Sequence, residues 1–221
     1  MENELELLKK LYRETLPEIE LMDIFYQNRD RYRVLLHLLQ QPRFPEKHAL
    51  SIIPRLYPMD LIKVVKNKRT NAAIRKRVEL EFVNKYNKYP LGEKISYIKA
   101  APHSLLNYFI EENNKSILDA ILKNAYCTEE VILKFVNRKS DKTSFYEALF
   151  DTEWYKRPQV ALAISHDSQA PIRILVEIIP YLNLKQLQNL YQDEKTHQIV
   201  KKNIIQYLQD RQPHKDGRVE G

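Results

Sequence analysis

Apolar residues recur along this chain at three- and four-residue spacing, which predicts helices throughout. Val34, Leu35, Leu38 and Leu39 form one such stripe, and Ala49, Leu50, Ile52 and Ile53 form the next. Between them the polar turn Gln41 to Phe44 ends the first helix, and Pro45 opens the second. Pro54 then removes a backbone donor and crowds the preceding turn, so the second helix must end or kink there. Further stripes follow at Leu61, Ile62, Val64 and Val65, and at Ile74, Val78, Phe82 and Tyr86, the latter opening near Thr70 as an N-cap.

The stretch from Val34 to Phe82 is written twice. At an offset of 126 residues and without a gap, Val34, Leu36, Pro45, Ile52, Ile53, Pro54, Leu56, Leu61, Thr70 and Lys76 reappear as Val160, Leu162, Pro171, Ile178, Ile179, Pro180, Leu182, Leu187, Thr196 and Lys202. Nine of these ten identities are apolar residues, prolines or a possible cap, the types that set geometry, so the duplication is of a structural unit. A shorter third copy places Leu38, Ala49, Leu50 and Ile53 onto Ile121, Ile132, Leu133 and Val136, at an offset of 83. These offsets imply a unit of about 42 residues, within the range of paired-helix repeats, although no copy falls in register near residue 90.

The expected architecture is therefore all-α: a right-handed α-solenoid of about 12–15 short helices. It runs as one unit over 1–210, with N-terminal helices over 1–30, repeat copies at 34–82 and 160–208, and middle helices over 91–151. The middle helices are read at Glu93–Ala100, Leu105–Ile110, Ile117–Lys123 and Thr128–Asn137. Residues 211–221, polar and aperiodic, are expected to be a disordered tail. Only 3 glycines against 11 prolines agrees with short proline-punctuated helices rather than a sheet with glycine turns.

Particular strings carry a family resemblance. Gln41-Pro42-Arg43-Phe44-Pro45, Ile52-Ile53-Pro54-Arg55-Leu56, Asp60-Leu61 with Asn67-Lys68-Arg69, and Leu91-Gly92-Glu93-Lys94-Ile95 resemble a group of bacterial HEAT-like repeat proteins. More loosely they are similar to leucine-rich-repeat variant proteins. The resemblance covers about residues 33 to 209 and implies an α-solenoid of bacterial origin acting as an interaction module. It carries over no catalytic residue. The N-terminal cysteine cluster of some leucine-rich-repeat variant proteins is missing, so no iron–sulfur group, and no other cofactor, is expected.

Little chemistry is written in the chain. Cys127 is the single cysteine, which excludes an intrachain disulfide and a cysteine-rich zinc site, and it is read as a buried thiol. The histidines, His37, His48, His103, His166, His197 and His214, show no metal spacing, and no glycine-rich phosphate loop or nucleophile elbow occurs. His166 beside Asp167 aligns with Gln40 and Gln41 and reads as a polar turn. Glu111–Glu112 and Glu129–Glu130 sit about 100° apart on a helix and do not converge. Trp154 is read as a packing anchor. No apolar run reaches a membrane span or a signal-peptide core, so a soluble, cytoplasmic chain without membrane insertion is expected.

Charge is the one uneven feature. Residues 61–88 carry Lys63, Lys66, Lys68, Arg69, Arg75, Lys76, Arg77, Lys85 and Lys88 against Glu79 and Glu81, a net +7 that equals that of the whole chain. The duplicate segment, 187–214, is only +1, so the fold alone does not demand these cations. Lys63, Lys66, Lys68, Arg69, Arg75, Lys76 and Arg77 are thus candidates for an anionic partner, with Lys66, Lys68 and Arg69 expected just before a helix N-terminus, and Tyr86, Tyr89, Tyr97 and Tyr108 for an aromatic protein-binding surface. The reading is a non-catalytic scaffold for a protein or peptide partner. The alternatives are nucleic-acid binding through 61–88, and an enzyme of the HEAT-like DNA glycosylase kind.

Overall fold

A computed structural model describes residues 3–211, and every described element is helical. The expected tail, apart from Arg211 at the end of the last helix, lies outside the described residues. Packing divides the chain into two compact units, Met1–Tyr108 and Phe109–Gly221, a division that the sequence reading of one unit over 1–210 does not mark.

The first unit contains α1 (Glu4–Arg13), α2 (Glu18–Gln27), α3 (Tyr32–Leu39), α4 (Glu46–Ile52), α5 (Pro58–Lys66), α6 (Ala72–Tyr86), α7 (Leu91–Ala100) and α8 (His103–Leu106). Helices pack next-but-one: α1 on α3, α3 on α5 and α5 on α7 in one row, and α4 on α6 in the other. Leu7, Leu11, Leu35, Leu38, Leu61 and Val64 fill the first row, and Ala49, Ile52, Ile74, Val78 and Phe82 the second, all of them buried. Leu50 departs from its stripe and is exposed.

The second unit contains α9 (Lys115–Leu122), α10 (Glu129–Asn137), α11 (Thr143–Phe150), α12 (Pro158–Ser165), α13 (Ile172–Glu177), α14 (Leu184–Gln192) and α15 (Gln198–Asp210). The same rule holds, with α9 on α11, α10 on α12 and α13 on α15. Trp154 donates its indole N–H to the Leu122 carbonyl at 2.8 Å, while the Arg157 guanidinium lies 4.4 Å over its ring, so it does anchor the α12 entry to α9.

Prolines and asparagines start these helices. Pro17, Pro45, Pro90, Pro102 and Pro171 are N-cap residues, and Pro58 and Pro158 occupy the first turn, where the missing N–H has no partner to lose. Asn3, Asn71, Asn114 and Asn183 accept first-turn amides with their side chains. The expected cap Thr70 is one residue early: Asn71 caps α6, and Thr70 is buried with its hydroxyl unpartnered. Among the described residues no φ is positive, so helices end on right-handed or extended residues instead of glycine caps. This accounts for how few glycines the chain needs.

The duplication extends to element boundaries. Tyr32, Glu46, Ile53, Pro58 and Ala72, which start α3, α4, the Ile53–Arg55 3-10 turn, α5 and α6, match Pro158, Ile172, Ile179, Leu184 and Gln198, each 126 residues later. In both copies Ile-Ile-Pro turns the helix end into a 3-10 turn closed by Leu56 or Leu182, as Pro54 and Pro180 require. The shorter copy also holds, since α9 and α10 start 83 residues after α3 and α4.

The expected 42-residue unit is corrected. Helices one row-step apart start at Glu4, Tyr32 and Pro58 in the first unit, and at Glu129, Pro158 and Leu184 in the second, so a helix pair takes 26 to 29 residues. The longer spacing spans three helices, one and a half pairs. Register is lost near residue 90 because α6 is 15 residues long and delays α7 to Leu91.

Candidate functional site

The basic stretch of the first unit covers the end of α5, the turn after it and the whole of α6. Lys63 and Lys66 lie in the last turn of α5, not before a helix start, and there a cation complements the partial negative charge of the helix end. Lys63 also pairs with Asp60 at 2.8 Å. Asp60 in turn accepts the Tyr32 hydroxyl at 2.6 Å. Burial and that carboxylate push the Tyr32 phenol up to about 12, and the hydrogen bonds from Lys63 and Tyr32 outweigh desolvation to hold Asp60 below the usual carboxylate range.

Arg69 reaches across to α1. Its guanidinium donates to the Tyr12 carbonyl, to the Glu14 carbonyl at 2.6 Å and to the Thr15 hydroxyl at 3.4 Å, which satisfies carbonyls that the end of α1 leaves open. Arg75 donates to the Asn67 and Lys68 carbonyls at 3.5 and 3.3 Å. Arg77 pairs with Glu46 of α4 at 3.0 Å, and Lys85 donates to the Pro54 carbonyl at 2.6 Å. Lys76 lies 2.5 Å from the Tyr108 hydroxyl and 3.6 Å from Glu79. Lys68 is exposed. The α6 N-terminus, the expected anion seat, is occupied by the Asn71 side chain, which accepts the Ala73 amide at 2.8 Å. Of these cations Arg69, Arg75 and Lys85 are half-buried and join helix ends to neighbouring turns, whereas Lys63, Lys66, Lys68, Lys76, Arg77 and Lys88 are exposed.

The tyrosines divide. Tyr86 is only 3% exposed and belongs to the α6 core stripe, which corrects its place on a surface. Tyr89 and Tyr97 are half-buried partners, their rings edge-on with centroids 5.2 Å apart at the junction of α6 and α7. Tyr97 donates to Glu93 at 2.7 Å and packs on Phe82. Burial first, then Glu93, pushes its phenol up to about 12. Tyr108 is half-buried and donates to Glu79 at 3.3 Å, so it is apart from that pair and serves the α6 side.

Sequence reasoning missed the buried polar ties. Gln41 is almost fully buried: its amide donates to the Leu11 carbonyl and, at 3.0 Å, to the Glu14 carbonyl, and accepts the Leu16 N–H at 3.3 Å. Asp167, its counterpart in the second copy, accepts Lys142 at 2.8 Å and the Tyr146 hydroxyl, with Lys142 also donating to the Val136 carbonyl at 2.5 Å. One position thus does one job, tying its turn to the turn one helix pair earlier, once with a neutral amide and once with an ion pair. Arg138, 5% exposed, is a third tie: it donates to the Ile110, Glu112 and Asp141 carbonyls at 2.8, 2.7 and 2.5 Å and to Asn113 Oδ1 at 2.8 Å. Burial lowers its pKa, opposed by Glu111, Asp141 and Glu112. The signal that could have found these residues is a polar residue at a shared turn position whose type changes between copies.

Among the described residues no cluster of three His, Cys, Asp or Glu side chains could hold a metal ion. His166, Asp167, Asp193, Lys195 and His197 line an open pocket of about 340 Å³ in the second unit, at the turns after α12 and α14. His197 is committed as the α15 cap, accepting the Ile199 N–H at 3.2 Å. Cys127 is buried as expected, and burial pushes its thiol up to about 12, far from a nucleophile's range. No known protein family, no curated protein and no solved structure matches the chain. No described helix is long and apolar enough to cross a membrane.

Proposed function

We propose that the chain is a non-catalytic α-solenoid of HEAT-like helix pairs that binds a protein or peptide partner. The observation that carries this reading is the disposition of four polar turn residues: the side chains of Gln41, Arg138, Lys142 and Asp167 are buried, and each ties one turn to another. A catalytic centre needs the opposite, polar groups held ready for a substrate. The regular next-but-one packing and the matched boundaries of the two copies support repetition as the design principle.

The surface best suited to a partner lies at the α6–α7 junction. Tyr89 and Tyr97 form a half-buried edge-to-face pair, and Leu91 and Lys88 stand exposed beside them in the chain. Large aromatics of this kind supply contact area at low entropic cost and dominate interface energetics. The test is affinity purification of the tagged chain from its native cell, beside a variant carrying Tyr89→Ser and Tyr97→Ser. A protein recovered with the first and lost with the second supports the proposal; identical recoveries, or recovery of nucleic acid alone, would count against it.

A further inference from the structure

We infer that copies of this chain associate head to tail, the exposed apolar residues of α1 and α2 of one docking on the α14–α15 groove of the next. The internal duplication supplies the reason. In the first copy the outer face of α5 and α6, formed by Ile62, Val65, Glu79 and Phe82, is buried. Helix α7 covers it, packing on α5 and laying Tyr97 against Phe82.

The matching residues of the second copy, 126 positions on, are Gln188, Tyr191, Ile205 and Leu208. They line an open groove of about 150 Å³ between α14 and α15, where Tyr191 and Ile205 are each 41% exposed. Ile205 stands in the position of a carboxylate, Glu79, so the copy that no described helix covers is the more apolar one at that point. Leu184, two turns before Tyr191 on α14, extends the apolar surface.

The occupant is argued from the other end of the chain. Leu5 and Tyr12 on α1, and Ile19 and Tyr26 on α2, are exposed at seven-residue spacing, with Ile19 80% exposed. Each helix thus carries an apolar pair two turns apart on one of its own faces. The two segments that carry these residues are also of opposite net charge. Residues 3–27 hold six acidic and three basic side chains, whereas residues 184–211 hold five basic and three acidic. Opposite potentials favour heterologous pairing and disfavour like-with-like pairing of either face. Such a contact is heterologous, joining two different faces of the chain.

The test is sedimentation velocity on the full chain over about two decades of concentration, with Ile19→Glu, Ile205→Glu and their mixture as companions. The wild type should rise above the 26.4 kDa of one chain as its concentration increases. Each variant alone should stay at one chain, because one of its two faces is blocked. Mixed, they should form a single two-chain species that grows no further, since only the intact faces can meet. Helical content by circular dichroism checks that both variants fold, and Leu5→Glu with Leu184→Glu repeats the test should either fail. A wild type that remains at one chain overturns the inference, as does a mixture that shows no pairing.

Discussion

Replacing Asp167 by Ala would leave the Lys142 ammonium buried without its counter-charge. The two side chains are 6% and 8% exposed and meet at 2.8 Å, so neither water nor salt can substitute for the lost carboxylate. Removing one partner of such a pair costs about 3–5 kcal/mol, much of it the cost of the charge left behind. Tyr146 loses its acceptor in the same step. For a chain of 221 residues each kcal/mol shifts the melting temperature by about 2–4 °C, so a fall of roughly 6–20 °C is expected. The assay is thermal and urea unfolding followed at 222 nm. The double variant Lys142→Met with Asp167→Leu keeps the volume, removes both charges and should recover most of the loss. A single variant within about 1 kcal/mol of wild type, or a double variant no better than the single, would refute the idea that this pair is a buried structural tie.

Other tests bear on the same account. Arg69→Ala strips three hydrogen bonds from the end of α1 and should cost about 1–3 kcal/mol in urea, whereas exposed Lys68→Ala should stay within about 0.5 kcal/mol. The Tyr146 hydroxyl is raised above its ordinary value by burial and then by Asp167, so folding favours the neutral phenol. That contribution is complete below the unfolded value of about 10 and is lost as pH rises above it; Tyr146→Phe should flatten the slope of stability between about pH 9 and 11. Cys127 should resist a thiol reagent in the native protein and react at the rate of unfolding; prompt native labelling would contradict its burial.

Much of the fold was legible because geometry-setting residues carry it. Prolines, the Ile-Ile-Pro turns and the apolar stripes mark helix starts and buried faces, and they mark the two copies at the same offset. The repeat length is not legible because the offsets of 126 and 83 residues align helices nine and six apart, four and a half and three pairs, and one row looks like the other when both bury a single apolar stripe. Thr70 was taken for the cap because its neighbour Asn71 is just as competent, and only the chain path decides between them. The ties were illegible. Gln41, Arg138 and Asp167 are polar turn residues by sequence, and apart from the local Asp141 carbonyl and Gln169 amide their partners lie 21 to 30 residues away, beyond any local pattern. The cations of α6 were legible as an excess, but not their partners: Arg77 pairs with Glu46 of α4, and Arg69 with carbonyls at the end of α1.

The central claim about residues 61–88 is that the guanidinium groups of Arg69, Arg75 and Arg77 serve the fold. It is tested most directly by titrating the chain against fluorescent duplex and single-stranded oligonucleotides between about 50 and 200 mM salt. The account predicts weak binding with a shallow dependence on salt, because the guanidinium groups of Arg69, Arg75 and Arg77 are already engaged by carbonyls and Glu46. A tight complex whose affinity falls by about 10³ or more over that range, and which Lys66→Ala with Lys68→Ala weakens further, would contradict it.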